Sequence, residues 1–555
     1  MSETSKPTPI HWIDELTSKI INHWPDIKQF NCNCGISVSG RQHVGRLRGE
    51  IVLTNAVVNE LERAGYTANH SLILYTSDPW KGKPAQINAF KDPQEGQQYI
   101  NWRLVDVPDP SGEYSSWVDF FWKDFGEPLP LFGRNVQIVR THELYQEKRM
   151  QDAILELIEK KEQVREILNK YRPENPFPEG WIPFNPRCSN CNRIGTTTAL
   201  EVNFSSYEVR YSCKGCDMEG WSDMKLGKLN WRLEWATIWY LLDVHFEPYG
   251  KDHATVGGSR DSCIEVLRNV LGRPGPYGYW NEWVGYSEGK TDYGDMTSSG
   301  FIGFTPKDWL KYASPEVLKY LYLKTPPRRR IVLGFDKIPY YIADYDRAER
   351  IYSGRENLDD PSERHTVVRS FEIVFYNEVP EYREFQLDFN HSVILAQIVG
   401  PDETGVDQAV QKLLTAEILS KRPDQNARSY ISSRLAQARQ WALDHAPQSL
   451  RFEITEKPPT RLSEDLNHRY YELVTELDTK LSKIRWTEEE IKKCMVDIRD
   501  GKNLSRKEMQ QFFRILYHIF LGTSRGPRLA PFLAALDQEW VIKRLGAFEM
   551  LVSSR

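Results

Sequence analysis

The chain has 555 residues, 40% of them hydrophobic and 27% charged, with a formal net charge of -5. That length exceeds one hydrophobic core and predicts two to four domains, while the charge excludes a globally cationic nucleic-acid binder, so any RNA contact must come from local patches. Residues 1–10 are polar, no run approaches the roughly 18 apolar residues that span a bilayer, and eight cysteines in so long a chain are no disulfide framework, so a cytoplasmic protein is expected.

Residues 1–30 read as an N-terminal extension with one short helix over 12–24. The stretch from Gly35 to Glu50 follows, beginning as a strand and turning into a helix. Ile51, Leu53, Val57, Val58 and Leu61 give that helix an apolar face. Gly35, Ser37, Ser39 and Gly40 are small enough for a ligand to approach the backbone. A helix start after such a turn attracts anions, because its first amides lack partners and the dipole is positive there. His43 and Gly45 sit where the turn would meet the anion, and a nucleotide phosphate is the expected ligand. A crossover that binds nothing is the alternative. Residues 68–75 form the second parallel strand, an order that argues for an α/β sheet with its ligand at the strand carboxyl ends. Thr76, Ser77, Asp78 and Lys81 lie on a loop at that edge. Residues 88–133 read as an irregular insertion, 136–139 as a strand, and 141–171 as one long amphipathic helix.

Cys188-Ser-Asn-Cys191 and Cys213-Lys-Gly-Cys216 form two CxxC pairs, the pattern of a structural zinc ribbon. Four thiolates leave no open coordination position, so catalytic zinc is not expected. Residues 199–202 and 208–211 read as the hairpin between the pairs. The aromatic stretch 231–249 contains Arg232, Glu234 and His245, which need partners if buried. Glu247-Pro-Tyr-Gly-Lys251-Asp252-His253, followed by Gly257-Gly258-Ser259 and a helix from Asp261, reads as another ligand-edge loop. Residues 283–286 form a short strand and 289–300 a flexible polar loop. Thr305 opens a helix, with Pro306 at its first position. Pro326–Arg330 is the densest basic cluster, either a solvated turn or a phosphate contact. From residue 339 the pattern is mostly helical, over 342–352, 406–419, 430–445, 464–481, 487–500, 505–521 and 529–544. Residues 364–378 stay unassigned.

Several motifs now fall in one order: Gly35 to Arg46, Val107-Pro-Asp-Pro-Ser-Gly112, the two CxxC pairs, Phe246 to His253, Met296-Thr-Ser-Ser299, Ala343 to Arg347, Gly522 to Pro527 and Val541 to Leu545. Together they resemble the class I lysyl-tRNA synthetase family of archaeal type, over roughly residues 30–555. The resemblance implies an α/β fold. A Rossmann-type catalytic domain spans 31–345, with an insertion over 85–230 that includes the zinc ribbon at 183–222. An all-helical anticodon-binding region spans 346–555. It implies ATP-dependent activation of lysine and transfer to tRNA by a cytoplasmic monomer without membrane partners. The lysine carboxylate attacks the α-phosphate and pyrophosphate leaves in line, with catalysis by positioning and by charge neutralisation from Mg²⁺, amides and cations.

His43-Val-Gly45-Arg46 falls at the family's HIGH motif, which makes His43, Gly45 and Arg46 the implied catalytic residues. Ser39, His43, Gly45, Lys290, Met296, Thr297, Ser298 and Ser299 are implied to hold ATP. Gly35, Ser37, Asp78, Glu234, Trp235, Trp239, Lys251, Asp252 and His253 are implied to hold the amino acid, with a carboxylate for the ammonium and aromatic walls for the stem. Cys188, Cys191, Cys213 and Cys216 are implied to hold a single Zn²⁺, since Glu113 and Tyr114 stand where the family often has Cys and His.

Three positions depart from the pattern. Asp295 precedes Met296 and Gly300 follows Ser299 where the KMSKS-type loop brings lysines, and Arg46 replaces a small polar residue. An acid facing pyrophosphate costs on the order of several kcal/mol. Lys290, Arg46 or Arg260 is expected to restore the charge. The departures leave two alternatives open, a paralogue that adenylates an amino acid for another acceptor and a non-catalytic RNA-binding homologue.

Overall fold

The computed structural model describes residues 10–380, 385–456 and 468–553. In chain order its strands are β1 (Gln29–Ile36), β2 (Thr67–Leu74), β3 (Val136–Arg140), β4 (Phe184–Asn185), β5 (Thr197–Asn203), β6 (Glu208–Cys213), β7 (Glu219–Asp223), β8 (Lys228–Leu229), β9 (Phe246–Gly250), β10 (Tyr277–Asn281), β11 (Val284–Glu288), β12 (Thr291–Asp295) and β13 (Ile331–Leu333).

The central sheet has the order β10-β9-β1-β2-β3, with every neighbouring pair parallel. Phe30, Cys32, Cys34 and Ile36 of β1 are buried, as are the consecutive Leu72, Ile73 and Leu74 of β2, because helices cover both faces of a parallel sheet. From β1 the chain runs outward to β2 and β3, then returns to the other side as β9 and β10. The order reverses between β1 and β9, and open α/β sheets bind ligands beyond the carboxyl ends at such a point.

The helix after β1 starts in an unusual way. Leu47–Leu53 is π-helical, and Thr54–Arg63 continues as α-helix. The Glu50 carbonyl accepts hydrogen bonds from Cys34 Sγ (2.8 Å) and His70 Nε2 (3.0 Å). A carbonyl can only accept, so His70 carries its proton on Nε2, and burial pushes its pKa down to about 4.

Several elements differ from the sequence pattern. Residues 141–171 form three helices, Thr141–Leu144, Lys148–Glu159 and Lys161–Lys170, not one. The backbone leaves helical geometry at Lys160 (φ -93°, ψ 21°), and the two longer segments pack on different partners, Trp231–Leu241 and Ser259–Asn269. The insertion over 88–133 holds helix Trp117–Gly126, N-capped by Ser116 and anchored by buried Trp117 against Trp80. The cysteine hairpin gains a third strand, β7, and antiparallel β4 and β8 close its base. The first half of the expected loop over 289–300 is strand β12, paired with β11.

The chain divides into two compact units. The first comprises residues up to Leu310, Ser314–Gly334 and Arg347–Pro380. It takes in the N-terminal helix Trp12–His23 and the unassigned stretch, which forms helix Pro361–Val374. These two are tied together by Arg369, whose guanidinium grips Asp14 (2.8 and 2.9 Å) and reaches Glu60 (2.6 Å).

The second unit comprises Lys311–Ala313, Phe335–Asp346 and Glu381–Arg555. It is helical, with Phe389–Ile398, Glu403–Thr415, Gln425–Asp444, His468–Leu481, Glu488–Gly501, Arg506–Leu521, Leu529–Ala534 and Gln538–Ser553. Residues 464–467 of one expected helix lie outside the described residues. Arg506–Leu521 starts with a capping box of Ser505 and Glu508 and ends at left-handed Gly522 (φ 67°). Buried Arg434 pairs with Asp346 at 2.9 Å.

Candidate active site

A crevice of about 420 Å³ opens beyond the carboxyl ends of β1 and β9. Gly35, Ser39, His43, Gly45, Arg46, Asp78, Glu234, Trp235, Asp252, His253 and Met296–Ser299 all line it. Residues drawn from five separate stretches of sequence thus meet in one cavity. Four other expected residues lie elsewhere. Ser37 is half-buried outside the lining, and Trp239 lies fully buried behind it. Lys251 pairs with Glu282 at 2.8 Å, and Lys290 is exposed on the β11–β12 turn.

The turn after β1 is held from outside. Val44 N donates to Phe304 O (2.9 Å), Tyr322 OH donates to Val44 O (2.9 Å), and Gln86 Nε2 donates to Ser39 O (2.7 Å). A Cβ on Gly40 would lie 2.4 Å from the carbonyl oxygen of Ser298, so only glycine lets the loop 296–301 close against the turn. A Cβ on Gly45 would stand 2.9 Å from His43 Nδ1.

Three polar atoms of this lining are buried without a protein partner: His43 Nδ1, Arg46 Nε and Ser298 Oγ. Buried polar atoms are rarely left unpaired, so three such atoms in one crevice suit a polar ligand. Burial, then Arg46, pushes the His43 pKa down to about 3, so the imidazole is neutral. Arg46 bonds Glu50 at 3.1 Å, leaving its Nε for a ligand.

The loop 295–299 corrects the charge argument drawn from sequence. Asp295 is not part of the crevice lining. Its carboxylate pairs with Arg330 at 3.0 Å and lies 3.9 Å from Lys251. Arg330 therefore belongs to this pairing. Of the cations expected to compensate, Arg46 lines the crevice. Arg260 instead lies over the Tyr249 ring and bonds Pro276 O, and Lys290 points to solvent. Lys83 is a further cation at this edge. It lines the crevice, and its Nζ donates to Ser299 Oγ at 2.8 Å.

Aromatic rings frame the part of the crevice around Trp235. Trp231 and Trp235 stack 6.4 Å apart, and His253 lies 5.1 Å from Trp235 while its Nδ1 bonds Ser259 Oγ at 2.7 Å. Glu247, which motif reading left without a role, is 3% exposed in the crevice floor. Its carboxylate accepts from Trp235 Nε1 (2.7 Å), Trp239 Nε1 (2.7 Å) and Asn33 Nδ2 (2.5 Å). Burial pushes its pKa up, against those three donors. Lys83 gave no local signal, since its partner Ser299 lies 216 positions away.

At the ribbon, the sulfurs of Cys188, Cys191, Cys213 and Cys216 lie within 4.8 Å of one another and could hold a metal ion. The pairs Cys188–Cys216 and Cys191–Cys213 stand 3.6 Å apart. Tetrahedral coordination with Zn–S bonds of about 2.3 Å separates sulfurs by about 3.8 Å, which the cluster fits. No helix among the described residues is long and apolar enough to cross a membrane.

Comparison with known proteins identifies the family. The family model of the class I tRNA synthetases (K) matches residues 10–373. The chain is 41% identical to a lysine–tRNA ligase of Aeropyrum pernix, covering 97% of each chain. It is 30% identical to a lysine–tRNA ligase of Pyrococcus horikoshii, covering 97% of this chain and 99% of that one. Among solved structures it is similar to a glutamate tRNA ligase from Elizabethkingia meningosepticum, with 14% identity, a TM-score of 0.39, and 94% and 99% of the two chains covered. The chain belongs to the class I tRNA synthetases of the K family.

Proposed function

We propose that this protein activates lysine with ATP, forming lysyl-adenylate and pyrophosphate, and transfers the lysyl group to tRNA. The observation that carries this reading is the switch-point crevice, where His43 Nδ1, Arg46 Nε and Ser298 Oγ stand unpaired beside a glycine turn. The reaction needs no protein nucleophile, because the lysine carboxylate itself attacks the α-phosphorus. His43 donates a hydrogen bond to the triphosphate, and Gly45 lets the nucleotide reach the backbone. Ser39, Met296, Thr297 and Ser298 surround ATP, with Lys83 and Arg46 supplying positive charge. Mg²⁺ bound with ATP would neutralise phosphate charge. Gly35, Asp78, Glu234, Trp235, Asp252 and His253 form the amino-acid end.

The helical second unit is assigned to tRNA anticodon binding, and the cysteine cluster to one structural Zn²⁺. A monomer is supported by a crevice built wholly within one chain, and a cytoplasmic location fits the reaction. Purified protein is expected to carry about one zinc per chain. Cys213→Ser should lose it and melt the ribbon, because the bound ion supplies the folding energy of such small modules. Metal analysis with proteolysis between residues 186 and 227 checks this; an intact, metal-free ribbon refutes it.

The function itself is tested by ATP–pyrophosphate exchange with each amino acid in turn, followed by tRNA charging. Lysine should support exchange, and the lysyl group should appear on tRNA. Exchange with a different amino acid, or none, overturns the reading.

A further inference from the structure

The two carboxylates assigned to the substrate ammonium already share an ammonium from the protein itself. Lys228 Nζ hydrogen-bonds Glu234 Oε2 and lies 3.0 Å from Asp78 Oδ1, with its side chain 4% exposed. Tyr145 fixes this arrangement, donating to Glu234 Oε1 (2.9 Å) and accepting from Leu229 N (2.9 Å). Both oxygens of Glu234 are therefore engaged within the fold. Asp78 differs: Oδ1 faces Lys228, while Oδ2 has no partner among the described residues, and Asp78 lines the crevice. Burial lowers the Lys228 pKa, but Glu234 and Asp78 outweigh it and hold it above its ordinary value. Two carboxylates thus meet a single ammonium, which leaves Asp78 Oδ2 over for a substrate cation.

We propose that Lys228 is a positioning residue for the amino-acid substrate: it neutralises Glu234 and holds Asp78 in place, so that Asp78 Oδ2 accepts a substrate ammonium group. The inference rests on the proposed amino-acid activation and adds which carboxylate is available and what orients it. Lys228 lies on β8, which closes the base of the cysteine ribbon against β4, so the ribbon's stalk carries this lysine to the crevice.

Lys228→Ala should raise the KM for lysine in pyrophosphate exchange by about tenfold or more while leaving the KM for ATP within about twofold. Propylammonium should restore part of the loss by filling the vacated space, and propanol should not. Lys228→Ala/Glu234→Gln removes the unpaired buried charge and guards against misfolding, as thermal unfolding will show; it should still bind lysine weakly, because Asp78 is no longer held. A folded double variant with a lysine KM within about twofold of wild type overturns the proposal. So does an equal rise in both KM values without amine rescue. Wild-type exchange separates this failure from that of the underlying reading. If another amino acid supports exchange, the same comparison is made with it, since its α-ammonium is covered by the same proposal. If none does, both fall.

Discussion

Replacing His43 with alanine is expected to lower lysine-dependent pyrophosphate exchange by about 10²–10³-fold, the usual worth of one preorganised donor to transition-state charge. The imidazole is 6% exposed, and its Nδ1 has no protein partner. Nothing inside the fold depends on that nitrogen, so the variant should fold while losing rate. Burial holds the ring neutral down to about pH 3. A neutral ring adds no titration in this range, so His43 should give no inflection in the pH–rate profile between pH 5 and 9. The stability effect has a definite sign. The pKa is depressed below the unfolded value near 6.5, so the unfolded chain binds the proton more readily. The contribution is complete above pH 6.5 and is lost as pH falls towards 3. Exchange kinetics at several pH values, with unfolding curves for both proteins, check these statements. A His43→Ala rate within tenfold of wild type would remove His43 from the phosphate site.

The second large effect is on stability. Arg369→Met should cost the first unit about 3–5 kcal/mol, because it strips the cation from a buried ionic network. The Arg369 side chain is 9% exposed, and it also reaches Glu372 (3.2 Å) and Asn377 (2.5 Å). Glu60, its deepest partner, has a side chain 2% exposed and would keep Arg63 alone as a cation. Asp14 belongs to the N-terminal helix, so that helix should loosen first, and proteolysis should cut there before elsewhere. Urea titration measures the loss, and a shift under about 1 kcal/mol would mean the network behaves as surface ion pairs do.

Local chemistry was legible in the sequence and pairing across the fold was not. The β1–turn–helix unit could be read because small residues, a histidine and an apolar helix face fall within one short stretch. The cysteine cluster could be read because thiolate spacing reports directly on a tetrahedral site. Strand β10 was missed because Tyr277–Asn281 follows Pro274-Gly275-Pro276, which reads as a turn, and its order comes from pairing with β9. The break at Lys160 was invisible because the apolar stripe continues through it, while the two halves pack on different helices. Asp295 looked electrostatically wrong because Arg330, its partner, lies in a basic cluster whose target the sequence does not mark. Asp78 and Glu234 are equivalent in the sequence pattern, and only Lys228 between them distinguishes their roles.

The π-helical start of the helix after β1 has a further consequence. A π turn is one residue longer than its α counterpart, so Leu47–Leu53 behaves as a helix with an extra amino acid threaded into it. Deleting one residue here would tighten the coil, swing Arg46 and Glu50 about a third of a circle apart in phase, and withdraw the carbonyl that Cys34 and His70 share. Any attempt to shorten or graft this segment must therefore preserve its residue count before its residue types.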